Sequence, residues 1–218
     1  MAKIVVSAFV FCCGGFMLDR YSYVHIPDYT GNLNTDVQRL LQNNGKSATY
    51  AHVRRVAAVC EELAGRFGLD RVKCRTSGLL HDISAVMRPA DMLAYAEENG
   101  WVLCEAERRF PFLLHQRLSV VVAKAHFGIT DGDILSAIEC HTTLRDSATP
   151  YDMVLFIADK IAWDQEGTPP FYDTVTAALE ESLEKACCAY MRYMEDSGKL
   201  LCPHTNWIAA CKWLKKRI

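Results

Sequence analysis

From Asp36 onward the apolar residues recur at helical spacing, and no stretch alternates as a half-buried strand would. In the segment 49–67, Val53, Val56, Ala57, Cys60, Leu63, Ala64 and Phe67 fall on one helical face, and Gly68 follows as a C-terminal cap. Asp70 opens a second helix that runs through Leu79 and Leu80 to His81 and Asp82. Pro89 starts a third, which ends at Gly100. Pro111 starts a fourth, carrying Leu113, Leu114, Leu118, Val121 and Val122 to Gly128. Asp131 caps a fifth, with Ile134, Leu135 and Ile138 inside. Thr149, Pro150 and Asp152 form a capping box for a sixth, whose apolar set is Met153, Val154, Phe156, Ile157 and Ile161. After the break at Gly167-Thr168-Pro169-Pro170, one long helix is predicted over 172–196, ended by Gly198, and a last one begins near Asn206. The pattern predicts an all-α bundle over 34–218, preceded by a short irregular or extended segment over 1–33.

Composition adds constraints. The chain has 218 residues, half of them hydrophobic and 23% charged, enough to bury a core without disulfide or metal support. A net charge of −2 gives no reason to expect nucleic acid or an acidic membrane as partner. The ten cysteines include no CxxC pair, so a zinc ribbon or thioredoxin-type site is not expected, and a reducing cytoplasm fits them best. The apolar run over 4–17 is too short to span a bilayer as a helix. It imitates a secretory signal but lacks a small-residue cleavage site, so an edge element or an upstream translation start is expected there.

The chemistry concentrates in four histidines and two aspartates, in the order His52, His81-Asp82, His115, His141, Asp159. A His-Asp pair alone arises by chance too readily to carry weight. Asp159 is more telling, because it interrupts the apolar string Phe156-Ile157-Ala158, where a lone carboxylate would be costly to bury. Four imidazoles and two carboxylates on separate helices suit a two-metal site inside a bundle. The mixed ligand set favours iron, manganese, cobalt or zinc over magnesium or calcium. His81 and Asp82 are adjacent, so both reach one centre only near a helix terminus or through a bridging carboxylate.

These strings, TYAHVRRVA, GLLHDISA, LLHQRLS, AIECHTTLR and FIADKIAWDQ, resemble the HD-domain superfamily of metal-dependent phosphohydrolases. Within it they are most similar to the YqeK-type symmetrical dinucleoside-tetraphosphate hydrolases, over roughly residues 34–170. The resemblance implies an HD fold, two divalent transition-metal ions with iron expected and manganese or cobalt as alternatives, and a nucleotide polyphosphate substrate. It implies that His52, His81, Asp82 and Asp159 hold one metal, that His115 and His141 hold the second, and that Asp82 bridges them. It leaves a homodimer open. The family often has Gly after its HTT string, where this chain has Leu144 and then Arg145. It also often has Glu-Pro-x-Arg after the Asp-bearing helix, where this chain has Ala162, Trp163, Asp164 and Gln165.

Arg145, Lys160 and Arg117 are the candidates for holding phosphates beyond the metals' reach. His25, His126 and His204 lack a partner pattern and are expected to be structural or exposed, and the four tryptophans to be core. Two other functions compete: an HD-type nucleotidase or nucleoside triphosphate hydrolase, and a metal-stabilised nucleotide sensor without hydrolysis.

Overall fold

Helix boundaries follow the capping signals. The computed structural model describes residues 17–163 and 166–218, and among these it holds eleven α-helices and no strand. Helix α1 (Leu33–Asn43) is capped by Asn32, whose side chain accepts the Thr35 N–H. Helix α2 (Ser47–Phe67) ends at Gly68, whose φ of 68° places it in the left-handed region. Asp70 caps α3 (Arg71–Leu80), and Arg88 precedes Pro89 at the start of α4 (Pro89–Glu98). A short α5 (Glu105–Arg109) leads into α6 (His115–Phe127), and Asp131 caps α7 (Gly132–Cys140). The Thr149–Asp152 capping box opens α8 (Pro150–Ile161). Helices α9 (Tyr172–Leu179), α10 (Leu183–Asp196) and α11 (Thr205–Leu214) complete the chain.

Helix α8 is buried on all sides from Met153 to Ala158, so it forms the axis of the bundle. It packs on α2, α3, α7 and α10. Helices α2 and α3 share the most extensive helix–helix contact among the described residues. A Cβ at Gly78 of α3 would sit 2.7 Å from Ala57 Cα of α2, an approach that only glycine permits. Before α1, a 3-10 turn over Met17–Arg20 buries Met17 and Leu18 against α6, where the Leu18 N–H donates to His126 Nε2 at 3.4 Å. The apolar run over 4–17 lies, up to residue 16, outside the described residues.

Three local expectations are corrected. The long helix over 172–196 is two helices. Ser182 takes an extended backbone and accepts the Lys185 N–H, while Arg66 caps the Leu179 carbonyl at 2.7 Å. The local Ser182 cap and the long-range Arg66 bond together outcompete continuous helix. The fourth helix starts at His115, because Pro111–Leu114 winds as a tighter 3-10 turn. The helix before His81-Asp82 stops at Leu80, and a 3-10 turn over Ile83–Val86 follows Asp82. Leu144, standing where the resemblance expects Gly, keeps a φ of 53° while fully buried. That conformation costs a non-glycine residue roughly 1 kcal/mol, which apolar burial offsets. No helix among the described residues is long and apolar enough to cross a membrane.

Candidate metal centre

All six residues singled out in the sequence converge. His52 comes from α2, His81 and Asp82 from the end of α3, His115 from the first turn of α6, His141 from the end of α7 and Asp159 from α8. The helix end at Leu80 lets the adjacent His81 and Asp82 face one point.

One local device recurs three times. The Nδ1 of His81 lies 2.8 Å from the Gly78 carbonyl, that of His115 2.6 Å from the Phe112 carbonyl, and that of His141 2.8 Å from the Ile138 carbonyl. A carbonyl only accepts, so each Nδ1 carries a hydrogen and each Nε2 faces inward, where its deprotonated form presents a lone pair. The three Nε2 atoms surround Asp82. Its Oδ2 is 3.4 Å from His81, and its Oδ1 is 3.4 Å from His115 and 3.5 Å from His141. His52 Nε2 lies 2.9 Å from Asp159 Oδ1, which is 3.6 Å from His81 Nε2.

The donor set fits divalent cations. His115 and His141 bring their Nε2 atoms to 3.0 Å, lone pair against lone pair, with both Nδ1 hydrogens already committed. His81 Nε2 is buried with no hydrogen-bond partner. Facing acceptors of this kind repel unless a cation or proton lies between them. Two groups of three ligand atoms, each within 4.8 Å of one another, share His81: one with His52 and Asp159, the other with Asp82 and His141. Asp82 turns one oxygen to each side, as a bridging carboxylate would.

Electrostatics shows the same demand for positive charge. Burial lowers the His81 pKa, but Asp82 and Asp159 outweigh it and raise it to about 10. His141, more deeply desolvated than its carboxylate neighbour can offset, falls to about 4. Burial opposes ionisation of Asp82, yet His81, His141 and His115 hold it well below the usual carboxylate range. Asp159 is held down likewise, against its burial, chiefly by Lys160 and then His52.

The three candidate cations differ. Lys160 Nζ lies 2.5 Å from Asp159 Oδ2, at the edge of the centre, and also approaches the His141 carbonyl. Arg145 pairs with the fully buried Asp152 at 3.2 Å and also contacts Ser136 and Glu139. Arg117 lies over the Trp101 ring and donates to Glu107 at 3.1 Å. Among the described residues, no hydrogen bond or ion pair joins Arg117 or Arg145 to the six converging residues. The sequence reading missed Thr142, whose hydroxyl is 3.1 Å from His115 Nε2. The doubled threonine after His141 was its only signal.

A third cluster brings Cys104, Glu107 and His204 together, and Arg117 pairs with Glu107 there at 3.1 Å. His204 Nδ1 accepts the Asn206 N–H, so its Nε2 carries the hydrogen and faces Glu107 at 3.6 Å. Burial raises the Glu107 pKa, but His204, the Cys104 N–H and Arg117 together bring it to about 2. As expected, the other histidines stand apart: His126 and His204 are buried in structural contacts and His25 is exposed.

The bundle thus carries a His-Asp pair at a helix end, flanked by histidines from three further helices and an Asp from its axis. The HD domain profile matches residues 49–164, more than half of the chain, and the chain belongs to that family. Over 122 residues it is 43% identical to an uncharacterized protein in the pepC 5' region of Lactococcus lactis subsp. cremoris, covering 56% of this chain and 63% of that relative's length. It is 29% identical over 137 residues to a symmetrical bis(5'-nucleosyl)-tetraphosphatase of Bacillus subtilis, covering 63% of this chain and 72% of that one. In solved structures, a predicted HD superfamily hydrolase involved in NAD metabolism from Clostridium acetobutylicum matches with a TM-score of 0.75 and 29% identity. It covers 87% of this chain and 99% of that one.

Proposed function

We propose that this chain is a phosphohydrolase that cuts dinucleoside polyphosphates, diadenosine tetraphosphate above all, symmetrically into two ADP. The observation that carries the metal-dependent part is the convergence of His115 and His141 Nε2 at 3.0 Å beside Asp82, with both tautomers fixed. The names of relatives such as the Bacillus subtilis tetraphosphatase support the substrate. His52, His81, Asp82 and Asp159 would hold one ion, His115 and His141 the second, and Asp82 would bridge. Iron is the metal proposed, with manganese or cobalt able to substitute. Bound there, two such ions supply hydroxide at neutral pH and offset phosphoryl charge.

The protein's own groups do the rest. The Gly78, Phe112 and Ile138 carbonyls lock three imidazoles as lone-pair donors, which removes reorganisation at the moment of reaction. Burial keeps Lys160 beside Asp159, and that carboxylate outweighs the desolvation and keeps the amine charged. Lys160 is therefore the foremost candidate to meet a phosphate oxygen, with Arg145 and Arg117 further candidates. The eight described cysteines are unpaired, in keeping with work in a reducing cytoplasm.

The test is an initial-rate digest of diadenosine tetraphosphate by anaerobically prepared, metal-analysed protein. ADP is expected as the sole early product, with ATP and AMP turned over far more slowly. Equal AMP and ATP, or faster hydrolysis of mononucleotides, would move the protein to the nucleotidase reading. Tight nucleotide binding without turnover would make it a sensor.

A further inference from the structure

We infer that the open cleft between α2 and the segment following α8 holds one nucleoside of the substrate, with Arg55 on the phosphate next to it. The assignment rests on the dinucleoside polyphosphate reading above and adds which surface reads the base. The cleft has a volume of about 580 Å³, inside the roughly 300–1,000 Å³ typical of small-molecule sites. Its walls are Ala58 and Val59 of α2, Ile161 and Trp163 at the end of α8, and Tyr172 at the start of α9. Arg55 also lines it.

Both walls continue directly from metal-ligand positions. Arg55 is three residues beyond His52 on α2, so the two share a helix face about one turn apart. Trp163 is four residues beyond Asp159, just past the end of α8. One helical turn is about 5 Å, a spacing that lets the long Arg55 side chain meet a phosphate beyond one held at the centre. Among the described residues nothing engages the Arg55 guanidinium, and it is exposed, which suits an anionic ligand. Trp163 offers an indole N–H that is buried and without a partner among the described residues. Its ring is braced edge-on by Phe171 at 5.8 Å. A basic group and two aromatic rings lining one cleft are the elements that hold a nucleotide by charge and stacking.

The test compares ADP with inorganic pyrophosphate, which shares the phosphates and lacks the nucleoside. Calorimetric titration of the full-length, manganese-loaded protein is expected to show ADP binding at least tenfold tighter than pyrophosphate. Ala58→Leu fills the cleft from an exposed helix position and should weaken ADP about tenfold while leaving pyrophosphate unchanged. Tyr172→Ala should do the same, and Arg55→Ala should weaken both ligands. Equal affinity of the unaltered protein for the two ligands, or unchanged ADP affinity in both Ala58→Leu and Tyr172→Ala, would overturn the assignment even if diadenosine tetraphosphate is cut. Conversely, the expected binding pattern without cleavage would uphold the cleft and overturn the hydrolase reading.

Discussion

A single methyl group at Gly78 tests how tightly the centre depends on the approach of α3 to α2. The Cβ of Gly78→Ala would lie 2.7 Å from Ala57 Cα and 2.9 Å from Ala57 N, about 0.7 Å short of ordinary contact at 3.4 Å. Both atoms are backbone, so no side chain can swing aside and the helices must part. Overpacking of this kind costs roughly 1–3 kcal/mol, and the gain in helix propensity returns about 1 kcal/mol. Net destabilisation of about 1 kcal/mol is expected, a fall in Tm of roughly 2–4 °C for a chain of this size. The effect on the site should be larger. Gly78 also supplies the carbonyl that fixes His81, and metal-ligand distances tolerate only about 0.2 Å. Manganese affinity should therefore fall roughly 10–100-fold. Gly65→Ala is the control, because its Cβ would meet only the movable guanidinium of Arg71. It should leave metal affinity unchanged and Tm equal or higher. Thermal unfolding and metal titration of both variants decide the matter. Undiminished metal affinity in Gly78→Ala, or equal losses in both, would refute the reasoning.

Asp82→Asn keeps the shape but removes the charge that faces three imidazoles, so bound metal should fall more than tenfold with the helical circular dichroism retained; unchanged metal content would exclude Asp82 as a ligand. Arg145→Ala leaves the fully buried Asp152 without its cationic partner and should cost about 2 kcal/mol in denaturant unfolding. His126 is held neutral by burial, with its pKa lowered from 6.5 to about 4. Stability from this group is complete above pH 6.5 and is lost as pH falls through 4, by about 3 kcal/mol at pH 4. His126→Phe should remove that share of the acid dependence, read as the difference between the two proteins' unfolding free energies at pH 7 and pH 4.

The sequence by itself determined the helical class, the capped starts at Asp70, Asp131 and Thr149, and the order of the six histidines and aspartates that the fold brings together. Those features are local or compositional: a side chain that caps its own helix, or a carboxylate set in an apolar run, shows in a short window. The tertiary structure decided what depends on distant partners. The break at Ser182 needed Arg66 to reach the Leu179 carbonyl across the bundle. That Arg117 meets Glu107 and Trp101, and that Arg145 meets Asp152, likewise shows only in the folded chain. The facing of His115 and His141 at 3.0 Å, and the wall that Trp163 and Tyr172 share with α2, also exist only once α2, α6, α7 and α8 have packed. A one-dimensional pattern records which residues are available, and distances between helices are set by close packing, down to the contact of Gly78 with Ala57.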